Sequence, residues 1–349
     1  MPEPDIPTFR ILDAAANRAG EGLRVVEDYL RFALDDAHLS RLCKQLRHDL
    51  TEVLTALSAA DRYAARETRV DVGAPGETNR VSIRPDATAV VAASFNRMEQ
   101  ALRSLEEYGK LFDASLAAKF EQLRYRAYTL ERAVSLTRAS IERLADARLY
   151  VLLDGRSSLE AFTSLVLSLV QAETDLLQLR DKRLNDRELI ARARRLREIT
   201  RGTKTLFVVN DRPDIARLAD ADGVHVGQEE LSVKDARTIV GPQALVGVST
   251  HSIEQARSAV IDGANYIGVG PTFSSSTKDF ESFAGIELVR SVAAEIRLPA
   301  FAIGGITLAN VAEVLAAGIS RVAASAAIVE ADDPSGAVRE FTRRLRATP

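Results

Sequence analysis

Cysteine is nearly absent. Cys43 is the only one in 349 residues, which excludes an intrachain disulfide. The four histidines, His38, His48, His225 and His251, stand far apart with no cysteine or histidine at ligand spacing, so they read as ordinary helix or strand residues and not as a structural zinc site. Basic excess is lacking too. Lysine and arginine number 46 against 49 acids, for a net charge of -3 and a pI near 6.0, and no basic run carries interleaved aromatics, so no nucleic-acid partner is expected. There is no apolar run of about 20 residues and no apolar signal segment near the N-terminus, so no membrane partner is expected either and the expected setting is cytoplasmic.

What is present is enough apolar material for two cores, at 46% of residues. From Thr8 to about Ala147, leucine, alanine, arginine and glutamate recur at three- and four-residue spacing, as in LSRLCKQLRHDLTEVLTAL, which predicts helices throughout. The break is RETRVDVGAPGETNRVSIRPD, residues 66 to 86, whose glycines and prolines exclude a helix. On either side of it the chain repeats: Asn17-Arg18, Leu23-Arg24 and Glu27-Asp28-Tyr29 return 79 residues later as Asn96-Arg97, Leu102-Arg103 and Glu106-Glu107-Tyr108. Arginines with acids three or four residues on are common surface pairs. Asparagine and tyrosine recurring in register point instead to a duplicated helical hairpin, its charges linking two hairpins or two subunits.

After Arg148 the texture changes. LYVLLD (149 to 154), DLLQLR (175 to 180), TLFVVND (205 to 211), GVHVGQ (223 to 228), LVGVST (245 to 250), YIGVGPTF (266 to 273), PAFAIGGI (299 to 306) and RVAASAAIV (321 to 329) read as strands, separated by amphipathic windows such as SLEAFTSLVLSLVQAE and DRELIARARRLREI. Eight strand-then-helix units in about 200 residues are the arithmetic of a (β/α)8 TIM barrel. A doubly wound sheet would carry a glycine-rich loop after its first strand, which is missing. The expected class is therefore α/β, an all-α domain over 1–147 followed by a barrel over 148–349.

A barrel's site lies at the C-terminal ends of its strands. The second strand here ends in Arg180 and Lys182, the third in Asn210-Asp211, the fourth in Gln228-Glu229-Glu230, the fifth in Ser249-Thr250-His251; the sixth runs into Ser275, Thr277 and Lys278, the seventh into Gly304-Gly305, and the eighth carries Ser325. Taken singly, Asn210, Asp211, Ser249 and Thr307 are also plain helix N-caps, and Gly304-Gly305 a plain turn. Three cations, two acid-bearing ends and two small-residue loops on one rim ask for more. IGGIT and AASAA suit a phosphate held by backbone N–H groups. Arg180, Lys182 and Lys278 exceed the needs of one monoester, and Asp211 with Glu230 could hold a magnesium ion, so a departing pyrophosphate is the expected second ligand. No nucleophile with an attendant base is apparent.

QLRDK, FVVNDRPDIARLADADGVHVGQEEL, GVSTHS, IGVGPTFSSSTK and FAIGGIT, in this order, resemble the thiamine phosphate synthase family over about 200 residues. ILDAAANRAGEGLRVVEDYLRF and LRSLEEYGKLF resemble a helical extension carried by some of its members. The resemblance implies a transferase that joins a pyrimidine diphosphate to a thiazole phosphate, with ionisation of the C–O bond ahead of capture by the thiazole nitrogen. It implies that Gln178, Leu179, Arg180, Asp181 and Lys182 hold the pyrimidine diphosphate with Asn210, Ser249 and Lys278. Arg180, Lys182 and Lys278 would act on the leaving group, Asp211 and Glu230 would bind Mg2+, and Ser275, Thr277, Gly305, Ser325 and Ala326 would hold the thiazole phosphate. Two positions depart from the family's pattern: Glu230 stands where aspartate is usual, and Ala326 where serine is common. The alternatives are a thiazole tautomerase on the same barrel and a noncatalytic binding or scaffold protein. For residues 1 to 147 a dimerisation or other interaction module is the leading reading.

Overall fold

The computed structural model describes residues 5–69, 71, 83–274 and 285–347. The chain divides into two compact units, Met1–Val134 and Ser135–Pro349, the division falling inside a helix. The first unit contains α1 (Ile6–Phe32), α2 (Ala37–Leu54), α3 (Ala59–Ala65), α4 (Ala87–Gly109) and most of α5 (Ala114–Arg143). Asp5, Asp36 and Asp86 start α1, α2 and α4 by accepting from the backbone N–H three residues on, which satisfies an otherwise orphaned helix donor. The described parts of 66–86 carry no helix.

Among the described residues of this unit the recurring charges join the two helices of each hairpin. Glu27 on α1 accepts from Arg47 of α2 at 2.8 Å and pairs with Arg24 at 3.4 Å. Glu106 on α4 accepts from Arg124 of α5 at 2.7 Å and pairs with Arg103 at 2.8 Å. Both carboxylates are buried, so neither is stable there without its cations. A groove of about 620 Å³ lies between α1 and α4, and each residue lining it has a counterpart 79 residues away, as in Arg18 with Arg97 and Glu21 with Gln100.

The second unit is a closed barrel of eight parallel strands in sequence order: β1 (Leu149–Leu153), β2 (Leu176–Leu179), β3 (Leu206–Asn210), β4 (Gly223–Val226), β5 (Leu245–Thr250), β6 (Tyr266–Val269), β7 (Ala300–Ile303) and β8 (Val322–Ala324). Between and after them run α6 (Leu159–Gln171), α7 (Asp186–Thr200), α8 (Pro213–Leu218), α9 (Val233–Val240), α10 (Ile253–Asp262), α11 (Gly285–Glu295), α12 (Val311–Ala316), α13 (Ala326–Val329) and α14 (Pro334–Arg346). RVAASAAIV is thus strand only in its first half: after Ala324 the chain turns into α13, since small and apolar residues in a short run suit either state.

Tyr150, Leu176, Val208, Leu245, Tyr266, Phe301 and Ala323 form the barrel's inner cluster, closed by Leu144 and Ala147. Because strand side chains alternate, this cluster sets the phase of everything above it. Two residues further along β2, β3, β7 and β8 come Gln178, Asn210, Ile303 and Ser325, and four along β2 and β5 come Arg180 and Ser249. The sequence therefore aims Gln178, Arg180, Asn210, Ser249 and Ser325 inward at the C-terminal end, with Ile303 among them. No helix among the described residues is long and apolar enough to cross a membrane.

Candidate active site

The rim is built from strand ends. On β2, Gln178 is buried on the inner face and Leu179 on the opposite one. Arg180 hydrogen-bonds through its backbone N–H to Leu153 O at 2.9 Å, continuing the ladder, while its guanidinium has no hydrogen bond or ion pair with a described residue. Five strong donors without a partner among the described residues, at the C-terminal end of a barrel strand, suit an anionic ligand. Asp181 is turned away: its carboxylate, 2% exposed, accepts from the backbone N–H of Gly155 at 3.1 Å and of Arg183 at 2.8 Å, and pairs with the Arg183 guanidinium. Those donors, Arg183 above all, hold its pKa down to about 2. Its side chain fastens the loop after β1 to the loop after β2.

Lys182 reaches across to β3 and β4, with its ammonium 3.6 Å from Asp211 and 3.9 Å from Glu230. Asp211 has a left-handed backbone, φ +60°, a conformation costing an L-residue about 1 kcal/mol. Asn210 donates to the Asp211 carboxylate at 2.6 Å. Burial, and then the neighbouring charge of Glu230, raise the Asp211 pKa above the usual carboxylate range, against Lys182, Arg180 and Asn210, which lower it. Among the described residues no three metal-ligating side chains cluster; the rim offers this carboxylate pair.

Ser249 on β5 lies 3.0 Å from His225 Nε2, and Gln228 donates to the Ser249 carbonyl at 2.6 Å. Burial, aided by the Arg180 charge, pushes His225 down to about 4, so the ring is neutral near pH 7. Gly304 and Gly305 after β7 have left-handed backbones, φ +96° and +65°, and a Cβ on Gly305 would lie 2.5 Å from Ser274 O. Only glycine lets the loops after β6 and β7 meet so closely. Ser325 donates to Leu152 O at 3.0 Å, so its hydroxyl is engaged with β1, and Ala326 opens α13. Ser275, Thr277 and Lys278 lie outside the described residues.

The structure thus brings Arg180, Lys182, Asn210, Asp211 and Glu230 into one electrostatic cluster and sets Gln178 and Ser249 on the inner face. Reading the sequence for charged strand ends passed over Tyr150, Tyr266 and His225. Tyr150 and Tyr266 lie in the inner cluster and His225 is buried on β4.

Comparison with known proteins follows the same division. A family profile described as thiamine monophosphate synthase matches residues 149–328, and one described as the ThiD2 family matches residues 10–133. The thiamine-phosphate synthase of Rhodopirellula baltica is 43% identical, covering 98% of this chain and 95% of its own. That of Synechocystis sp. is 42% identical over 96% of each. The solved thiamine phosphate pyrophosphorylase from Pyrococcus furiosus superposes with a TM-score of 0.52 at 31% identity, covering 58% of this chain and 96% of that one. A match of this extent, over a barrel whose rim carries the cations and carboxylates in place, shows that the chain belongs to the thiamine monophosphate synthase family.

Proposed function

We propose that the barrel mouth joins 4-amino-2-methyl-5-(diphosphooxymethyl)pyrimidine to 4-methyl-5-(2-phosphooxyethyl)thiazole, giving thiamine phosphate and pyrophosphate. The observation that carries this is Lys182 poised between Asp211 and Glu230, with the charge of Arg180, whose guanidinium makes no hydrogen bond or ion pair with a described residue, acting on the same Asp211. In the reaction the bond between the pyrimidine methylene and the diphosphate oxygen breaks, its electron pair leaving with pyrophosphate, and the thiazole nitrogen lone pair forms the new C–N bond. Arg180 and Lys182, with Lys278, neutralise the charge that grows on the leaving oxygen, an effect that strengthens as the bond stretches. Gln178 and Ser249 orient the pyrimidine, Asn210 holds Asp211, and Asp181 fixes the loop from which Lys182 extends.

Magnesium fits this rim. Lys182 stands 3.6 Å from Asp211 and 3.9 Å from Glu230, and burial and then the Glu230 charge disfavour an ionised Asp211, a cost that a divalent cation would offset, so Asp211 and Glu230 would hold the ion. Its contribution when bound is neutralisation of diphosphate charge. The loops after β7 and β8, at Gly305 and Ser325-Ala326, would receive the thiazole phosphate through backbone N–H groups, joined by Ser275 and Thr277. The domains proposed are 1–147 and 148–349, the first an association module in a cytoplasmic enzyme whose other partners are its small-molecule substrates. Expression in a thiamine auxotroph lacking its own synthase tests the activity: growth without thiamine is expected, and no growth despite folded protein contradicts it.

A further inference from the structure

Five buried or half-buried polar side chains cross the barrel beneath the rim. Gln178 on β2 donates from Nε2 to the Tyr150 hydroxyl on β1. The Tyr150 and Tyr266 hydroxyls lie 3.2 Å apart, Tyr266 lies 3.3 Å from His225 Nδ1, and His225 Nε2 lies 3.0 Å from Ser249 Oγ. The rings are fixed by packing: Tyr150 and Tyr266 sit edge to face at 5.9 Å, both against Phe301, and a Cβ on Gly247 would fall 2.1 Å from the Tyr266 ring.

Assigning the hydrogens by saturation gives the row one sense. Gln178 supplies a proton to Tyr150, so the Tyr150 hydroxyl hydrogen goes to Tyr266 and that of Tyr266 to His225 Nδ1. The neutral ring then carries its hydrogen on Nε2 and donates to Ser249 Oγ. Three groups are left over at the ends: Gln178 Oε1, to which no described residue donates, the second Gln178 Nε2 hydrogen, and the Ser249 hydroxyl hydrogen. The reverse sense would put the Gln178 carbonyl against Tyr150 and spend the Ser249 hydroxyl hydrogen on His225 Nε2.

We infer that Tyr150, Tyr266 and His225 are positioning residues that hold Gln178 as a hydrogen-bond acceptor and Ser249 as a donor, and so make the mouth selective for a heteroaromatic ring presenting an N–H group beside a lone pair. This rests on the proposed reaction, whose aminopyrimidine has that pattern in its exocyclic amine and adjacent ring nitrogen. Buried polar rows specify strongly because a ligand with the wrong pattern leaves a buried group unpaired.

The test is calorimetric binding of the pyrimidine diphosphate, and of an analogue with methyl in place of the amine, to the full chain, followed by steady-state kinetics. Tyr150→Phe and Tyr266→Phe, which keep the ring, should each weaken binding of the aminopyrimidine about tenfold, a net oriented hydrogen bond, and shrink its preference over the analogue by the same factor. KM for the thiazole phosphate should stay unchanged. Ser249→Ala, at the half-buried end, should be no more harmful in the Tyr266→Phe background than alone. Additive losses, an undiminished preference in the tyrosine variants, or KM values for both substrates rising together would overturn the inference. Should the wild-type chain bind the pyrimidine diphosphate without turnover, the proposed reaction fails while binding still judges the row; no binding at all sinks both.

Discussion

Removing the Lys182 ammonium separates what this residue does for the fold from what it does for the reaction. In the free protein it stands 3.6 Å from Asp211 and 3.9 Å from Glu230, but it is 62% exposed. Coulomb's law in a water-like dielectric gives about 1 kcal/mol for each contact, and solvent screening and side-chain entropy reduce the net further. Lys182→Ala should therefore cost the folded state at most about 1 kcal/mol. In the transition state the same ammonium faces charge developing on the leaving oxygen, and one such group is worth on the order of 3 kcal/mol, roughly a hundredfold in rate. Thermal unfolding and single-turnover formation of thiamine phosphate measure the two effects on one sample. The expected result is a Tm close to wild type with a single-turnover rate about a hundredfold lower, and Arg180→Ala and Lys278→Ala should behave alike. A higher KM for the pyrimidine diphosphate at an unaltered single-turnover rate would make Lys182 an anchor in the ground state and refute its role at the leaving group.

Five further outcomes are expected. Asp211→Ala and Glu230→Ala should each raise the magnesium concentration for half-maximal turnover about tenfold or more; because the Asp211 pKa is raised, its ionised form lowers stability as pH rises through that value, so Asp211→Asn should raise Tm at pH 7 and lose that advantage at low pH, as thermal scans would show. His225 titrates in the opposite sense: its folded pKa lies at about 4 against an ordinary 6.5, so stability is full above pH 6.5 and falls by about 3 kcal/mol as pH drops toward 4, a slope that urea unfolding should find missing in His225→Gln. A barrel begun near residue 135 should fold and turn over, whereas one begun at 146 should be less stable in denaturant, since it lacks the Ser140 hydrogen bond to Asn265 and the buried Leu144. Arg124→Ala leaves the buried Glu106 carboxylate with only the half-exposed Arg103 and should cost the helical unit on the order of 3 kcal/mol by calorimetry while barrel turnover persists.

The barrel was legible because each strand is a short apolar run whose neighbours are amphipathic, and because charged residues fall where those runs end. Two helices were not legible: α8 and α9, of six and eight residues, are too short for a helical period to show above a loop. RVAASAAIV failed for the related reason that alanine-rich runs carry no preference strong enough to mark where β8 stops. At the rim, the residues that look unusual in sequence, Arg180, Lys182, Asp211 and Glu230, are the ones the fold gathers. Tyr150 within LYVLLD and His225 within GVHVGQ look like core, and they are core; only their hydrogen-bond partners, drawn from strands more than 20 residues away in sequence, show that they are tied to Gln178 and Ser249. Asp181 shows the converse, a charged residue inside the QLRDK motif whose side chain is spent on loop structure.

The central claim is that this mouth forms thiamine phosphate by expelling pyrophosphate. Incubating the purified chain with both substrates and magnesium, and quantifying thiamine phosphate and pyrophosphate together, tests it most directly. Equal amounts of the two products, formed only when both substrates are present, are expected; pyrophosphate without thiamine phosphate, or a rearranged thiazole phosphate with neither, would contradict it.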